Sequence, residues 1–215
     1  MKERPILMSG LNVIAILEGR KFQTRRMVKP QPVLVESICD DEECEDTTSS
    51  FVDAGILRRP SVYGSHPVPS PYGVPGDRLW VRETFYCDHC EYQGALTGLP
   101  ALTGDDLTTY MYYAADDLVQ NQIPECEGIP KLKPSIFMPR WASRITLEIV
   151  AVRVEMLKDI SDKDAKAEGC CGVTKTEFGI PNYRAVWESI NGPGSWDKNP
   201  WVWVIDFFKL AKNDL

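Results

Sequence analysis

Eight consecutive residues, Gly19-Arg20-Lys21-Phe22-Gln23-Thr24-Arg25-Arg26, gather four cations, an amide and a hydroxyl in a chain whose formal net charge is −7. The stretch holds no carboxylate of its own. Lys21 suits attack on a carbonyl, or removal of a proton, as an unprotonated amine, the form that burial and neighbouring cations favour. Thr24 can donate to a carbonyl oxygen as it becomes an oxyanion. Arg20 and Arg26 suit a carboxylate or phosphate, which a planar guanidinium grips with two bonds. The missing acid has a candidate far downstream. Glu168 precedes Gly169 at the end of an expected helix, where the helix dipole disfavours a negative charge. Such a local inconsistency points to function. For each residue a plainer reading stands beside this one: a solvated basic strand edge, a β-forming threonine and an exposed glutamate.

Two other constellations carry chemistry. Cys87-Asp88-His89-Cys90 is a knuckle-like pair of thiols that Cys39 and Cys44 could complete as a tetrahedral zinc site. Cys126 and His66 compete for the same role, and free thiols are the alternative for a chain with seven cysteines. The expectation is a chain that needs no catalytic cofactor and has a structural zinc site as an open alternative. Six tryptophans are many for 215 residues. Trp201 and Trp203 alternate with valines and read as core. Trp141, in an expected loop between Arg140 and Arg144, suits stacking on a base. Arg82 and Arg144 complete the candidate binding set with Arg20, Arg26 and Trp141.

These residues need a frame. Hydrophobic residues at 43% and charged residues at 26% describe an ordinary globular chain. The acidic balance argues against broad, sequence-blind binding to duplex nucleic acid, which rests on neutralising phosphates, but allows a local basic pocket. No apolar run approaches the roughly 18 residues of a membrane span. A cytoplasmic protein is expected, with no membrane partner. Oligomeric state has no signature.

In chain order, an extended Pro5–Met8 leads to a short helix over residues 12–18 with Gly19 as its stop. A strand follows over 21–28. Residues 33–75, punctuated by prolines and an acidic run, are expected to be irregular. Leu79–Phe85 alternates as a strand. Residues 86–109 and 115–134 are expected loops around a strand at 110–114. A long alternating strand covers 145–157, helices follow near 162–168 and 182–190, and Trp201–Phe207 is a closing strand. The class is mainly β with short helices (α+β), best arranged as one small barrel domain over residues 1–215 with insertions at about 30–71 and 86–134.

Three motifs in this order resemble the ASCH family of PUA-like barrels. Gly19-Arg20-Lys21-x-x-Thr24-x-Arg26 is similar to the family signature. Gly76-Asp77-Arg78-Leu79-Trp80-Val81-Arg82-Glu83 is similar to its second strand, and Asp159–Gly169 to its helix. The likeness covers most of 4–29, 72–86 and 135–210. With Met138–Ile145 and Trp187–Gly192, the whole resembles phage and prophage ASCH-domain proteins, which implies the host cytoplasm. A bacterial member hydrolyses the N4-acyl amide of acetylcytidine. The resemblance places its Lys, Thr and Glu on Lys21, Thr24 and Glu168. It implies an amide hydrolase acting on a modified nucleoside. The alternative it implies is a non-catalytic module that holds single-stranded RNA or DNA, or a modified base.

Overall fold

A computed structural model describes residues 1–32, 51–53, 56–61, 64–87, 111–116, 131–169 and 179–211. In chain order its elements are β1 (Glu3–Leu7), α1 (Gly10–Leu17), β2 (Gln23–Met27), β3 (Phe51–Asp53), β4 (Ile56–Ser61), β5 (Gly64–Pro67), β6 (Arg78–Arg82), β7 (Phe85–Cys87), β8 (Met111–Tyr113), β9 (Lys131–Lys133), β10 (Thr146–Met156), α2 (Asp162–Ala167), α3 (Ile180–Asn191) and β11 (Trp201–Lys209). Strands dominate and the helices are short, so the class is mixed α and β with a mainly stranded framework. Among the described residues, no helix is long and apolar enough to cross a membrane.

The chain packs as two compact units. The first comprises Met1–Gly19, Arg78–Glu148 and Lys209–Leu215. Here β1 runs parallel to β6, and the first residues of β10 pair antiparallel to β6. Alternation in β6 buries Leu79 and Val81 and leaves Arg78, Trp80 and Arg82 partly exposed. A separate ladder, β8-β7-β9, carries Phe85 into a small core with Met138 and Ala142.

The second unit comprises Arg20–Asp77 and Ile149–Phe208. β11 lies between β10 and β2. It pairs antiparallel with β2, from Asp206 opposite Gln23 to Val202 opposite Met27. The run Trp-Val-Trp-Val-Ile is buried on both faces, which explains why it is continuously apolar rather than alternating. Val202 and Val204 pack with Leu157, Ala165, Tyr183 and Trp187 against the helices. On the other face, Trp203 packs with Val28, Leu57 and Val154.

Residues 33–75 were expected to be irregular; 68–75 are, but β3, β4 and β5 form a three-stranded ladder. Only two residues separate consecutive strands there, the length of a tight hairpin. The prolines masked that signal: Pro60 and Pro67 sit within the ladder's strands themselves. Likewise the stretch after residue 115 supplies β9, and the strand expected at 110–114 is β8.

Candidate functional site

Strand β2 divides its side chains by alternation, and the second unit uses both faces. Gln23 and Arg25 share the face that meets α2, and Lys21, two residues earlier, joins them. Thr24 and Arg26 take the opposite face.

Lys21 is placed by backbone pairing. It forms an isolated antiparallel bridge with Glu168, and the Phe22 N–H donates to the Ala167 carbonyl at 2.9 Å. Glu168 sits where α2 ends. Ser161 accepts from the Asp164 N–H at 3.1 Å and caps the helix start. Gly169, at φ +74°, turns the chain immediately after Glu168. With both backbones fixed, Lys21 Nζ donates to Glu168 Oε2 at 2.5 Å and to the Glu168 carbonyl at 2.8 Å. The two side chains are only 1% and 5% exposed. Lys21 therefore has a carboxylate, Glu168, as its immediate partner, where its sequence neighbours are cations.

Arg25 lies beside this pair. Its Nη2 meets Glu155 Oε1 at 2.5 Å, its Nε donates to the same oxygen at 3.1 Å, and its Nη1 donates to Gln23 Oε1. Glu168 Oε1 is 3.6 Å from Arg25 Nη1. That oxygen is buried and receives no hydrogen bond from the described residues. Gln23 donates to Asp164 Oδ1 at 3.1 Å and Asp206 Oδ1 at 2.6 Å. Arg153 joins Glu155 at 3.1 Å and Asp206 at 2.8 Å. Burial by itself would raise the Asp164 carboxyl. Donation from Ser161 and Gln23, with the charges of Arg25 and Arg153, holds it below its ordinary value. Lys21, Arg25 and Arg153 thus face Glu155, Asp164, Glu168 and Asp206, three cations against four carboxylates. The cluster can hold and move a proton, and Glu168 Oε1 is its spare acceptor.

On the opposite face, Arg26 stands across from Trp203. Both line a cavity of about 470 Å3. Thr24 is buried on this face, opposite Ile205. The structure therefore brings Lys21 and Glu168 together and turns Thr24 the other way.

The remaining candidates are dispersed. Arg20 donates to the Gly169 carbonyl at 3.0 Å, at the edge of the Lys21 cluster. In the first unit, Arg82 donates to the Met138 and Ile136 carbonyls and lies over the Trp80 ring at 5.2 Å. Trp141 is 40% exposed in a single helical turn, Arg140–Ala142. Arg144 is engaged by Glu83 at 2.9 and 3.0 Å and by Asp116 at 2.9 Å. Of the zinc candidates, Cys39, Cys44 and Cys90 lie outside the described residues, as does Cys126. Cys87 falls in β7.

The sequence reading missed Arg25, Glu155, Asp164 and Asp206 as partners. Asp206 carried a signal, an acid set inside an otherwise apolar strand, where a buried charge demands a partner. Arg153 and Glu155 fall two apart on β10, so they were legible as one face but not as facing β2. No family model matches the chain, and neither a curated protein nor a solved structure matches it.

Proposed function

We propose that the chain is an ASCH-type protein, built on a PUA-like barrel, that hydrolyses the amide of an N4-acylated cytidine or a similar modified nucleoside. The observation that carries this reading is the Lys21–Glu168 contact, 2.5 Å across a sequence separation of 147 residues, with Glu168 Oε1 lacking a hydrogen bond from the described residues. In this reading Glu168 takes a proton from water as the water oxygen bonds to the acyl carbon. The Lys21 ammonium faces the oxyanion so formed. The carbon–nitrogen bond then breaks, and Glu168 returns the proton to the departing N4 amine. Arg20, held on the Gly169 carbonyl beside the pair, is the group placed to meet an anionic part of the substrate. Thr24 lies across the strand and supports β2 rather than the reacting atoms. Because the pair is covered, substrate entry includes a step that parts the covering side chains.

The burial of both side chains favours a second reading, in which Lys21 and Glu168 clip β2 to α2 and the protein binds a nucleoside or a single strand without turnover. A panel of N4-acylated cytidines separates the two. Turnover by the wild type that falls at least about 100-fold in Lys21→Ala and in Glu168→Gln supports hydrolysis, since positioned acid–base groups contribute that much. No turnover of any member removes it and leaves binding.

A further inference from the structure

The cavity beneath Arg26 has a lining of unusual chemistry for an acidic protein. Arg26 and Lys29 bring two cations to it, and among the described residues no carboxylate lines it. Trp203 and Tyr72 supply aromatic surface, Asn191 an amide at the end of α3, and Leu57 part of an apolar floor. Its volume, about 470 Å3, falls in the range of small-molecule sites, roughly 300–1,000 Å3. The cations come from the end of β2 and the turn after it, and the aromatics from β11 and the segment following β5. The ligand features are therefore fixed by separate elements that meet only here. Burial raises the Tyr72 phenol, partly offset by the charge of Arg26, so the hydroxyl stays a donor at neutral pH.

We infer that this cavity binds a planar heteroaromatic ring carrying a phosphate monoester, the chemistry of a nucleoside 5′-monophosphate. Two cations match a group bearing about −1.5 to −2 charges at neutral pH better than a single carboxylate, and a guanidinium grips phosphate bidentately. Trp203 and Tyr72 offer ring surface to any base, since every base has a π face. Asn191 offers a donor and an acceptor to a base edge. The site lies on the face of β2 opposite the Lys21–Glu168 pair, and it rests on neither reading of that pair.

The test is calorimetric titration of the full chain with AMP and CMP, with the matching nucleosides, and with inorganic phosphate. The expected result is saturable binding of the monophosphates, weakened about tenfold or more when either the base or the phosphate is missing. Lys29→Glu, a change at an exposed residue, is expected to weaken the monophosphates by a similar factor and the nucleosides hardly at all. Tyr72→Ala is expected to weaken both. The proposal is overturned if no monophosphate binds, if phosphate alone binds as well as the monophosphates, or if Lys29→Glu leaves their affinity unchanged. A protein that binds monophosphates but turns over no acylated cytidine keeps this site and loses the hydrolase reading; the reverse result loses only this site.

Discussion

Each unit holds a partly buried charged cluster, and the two are satisfied differently. In the first unit, Arg144 donates to both oxygens of Glu83 and both oxygens of Asp116, at 2.9–3.0 Å, with its guanidinium 3.9 Å from the centre of the Tyr113 ring. Burial works against the Arg144 charge, but those donations outweigh it and hold the cation more firmly than an ordinary arginine. Every carboxylate oxygen there is matched. In the second unit, three cations meet four carboxylates, and Glu168 Oε1 has no hydrogen bond among the described residues. A closed cluster has nothing left to offer a ligand and works as a clamp. An open one keeps an acceptor that a proton or a substrate can use. Both contain an arginine and a buried glutamate, and each has one carboxylate more than it has cations, so neither composition nor stoichiometry tells them apart; geometry does.

The sharpest way to break the comparison is to remove the clamp's centre. Arg144→Met strands Glu83, which is almost wholly buried, and is expected to cost about 3–5 kcal/mol of stability in urea unfolding. A loss under about 1 kcal/mol would mean that the cluster clamps nothing.

Titration sharpens the contrast at intermediate size. The Asp164 carboxyl is held below its ordinary value, so its contribution is present above about pH 4 and is lost as pH falls through the folded-state value. Glu83 has the opposite sign. Burial raises its carboxyl, donation and charge from Arg144 lower it in part, and the nearby Asp116 raises it. Its contribution is full below the unfolded value near 4.5 and is lost as pH rises through the raised folded value. Thermal melts across pH 3–7 should therefore show the stability gap between wild type and Asp164→Asn closing toward acid. The gap between wild type and Glu83→Gln should narrow toward neutral pH. Gaps that move in the same direction would show that the two clusters do not differ in the way described.

The smallest effect is expected at Arg153. Its side chain is 37% exposed, and water screens its bonds to Glu155 and Asp206. Arg153→Ala should change stability by less than about 1 kcal/mol, readable as a small shift in the urea midpoint.

Much of the frame was legible. The apolar run with its glycine stop marked α1, alternation marked β6 and β10, and the β-branched and aromatic run at Trp201–Phe207 marked β11. These are signals of local period and turn chemistry, which a linear chain displays openly. The ladder β3-β4-β5 was not legible, because prolines normally punctuate loops and here sit within short strands. In the site, Lys21 and Glu168 were legible as residue types in unusual settings. Thr24 shows the limit: its hydroxyl and the family resemblance suggested a role shared with Lys21, while strand alternation turns it to the other face. Trp203 shows another limit. It reads as core and is core, yet it also lines the cavity with Arg26.

By itself, the sequence determined the segments, their period, and the stock of buried charge that β2, α2 and the closing strand would have to accommodate. Tertiary structure alone decided which charges meet. Lys21 and Glu168 are 147 residues apart, and only the backbone bridge between the residue just before β2 and the residue that ends α2 brings them to 2.5 Å. The physical reason is that period and propensity act over a few residues, whereas partner choice among like charges depends on register between distant strands. That register also splits the opening basic stretch: Lys21 and Arg25 enter an acidic cluster on one side, and Arg26 reaches a cavity on the other.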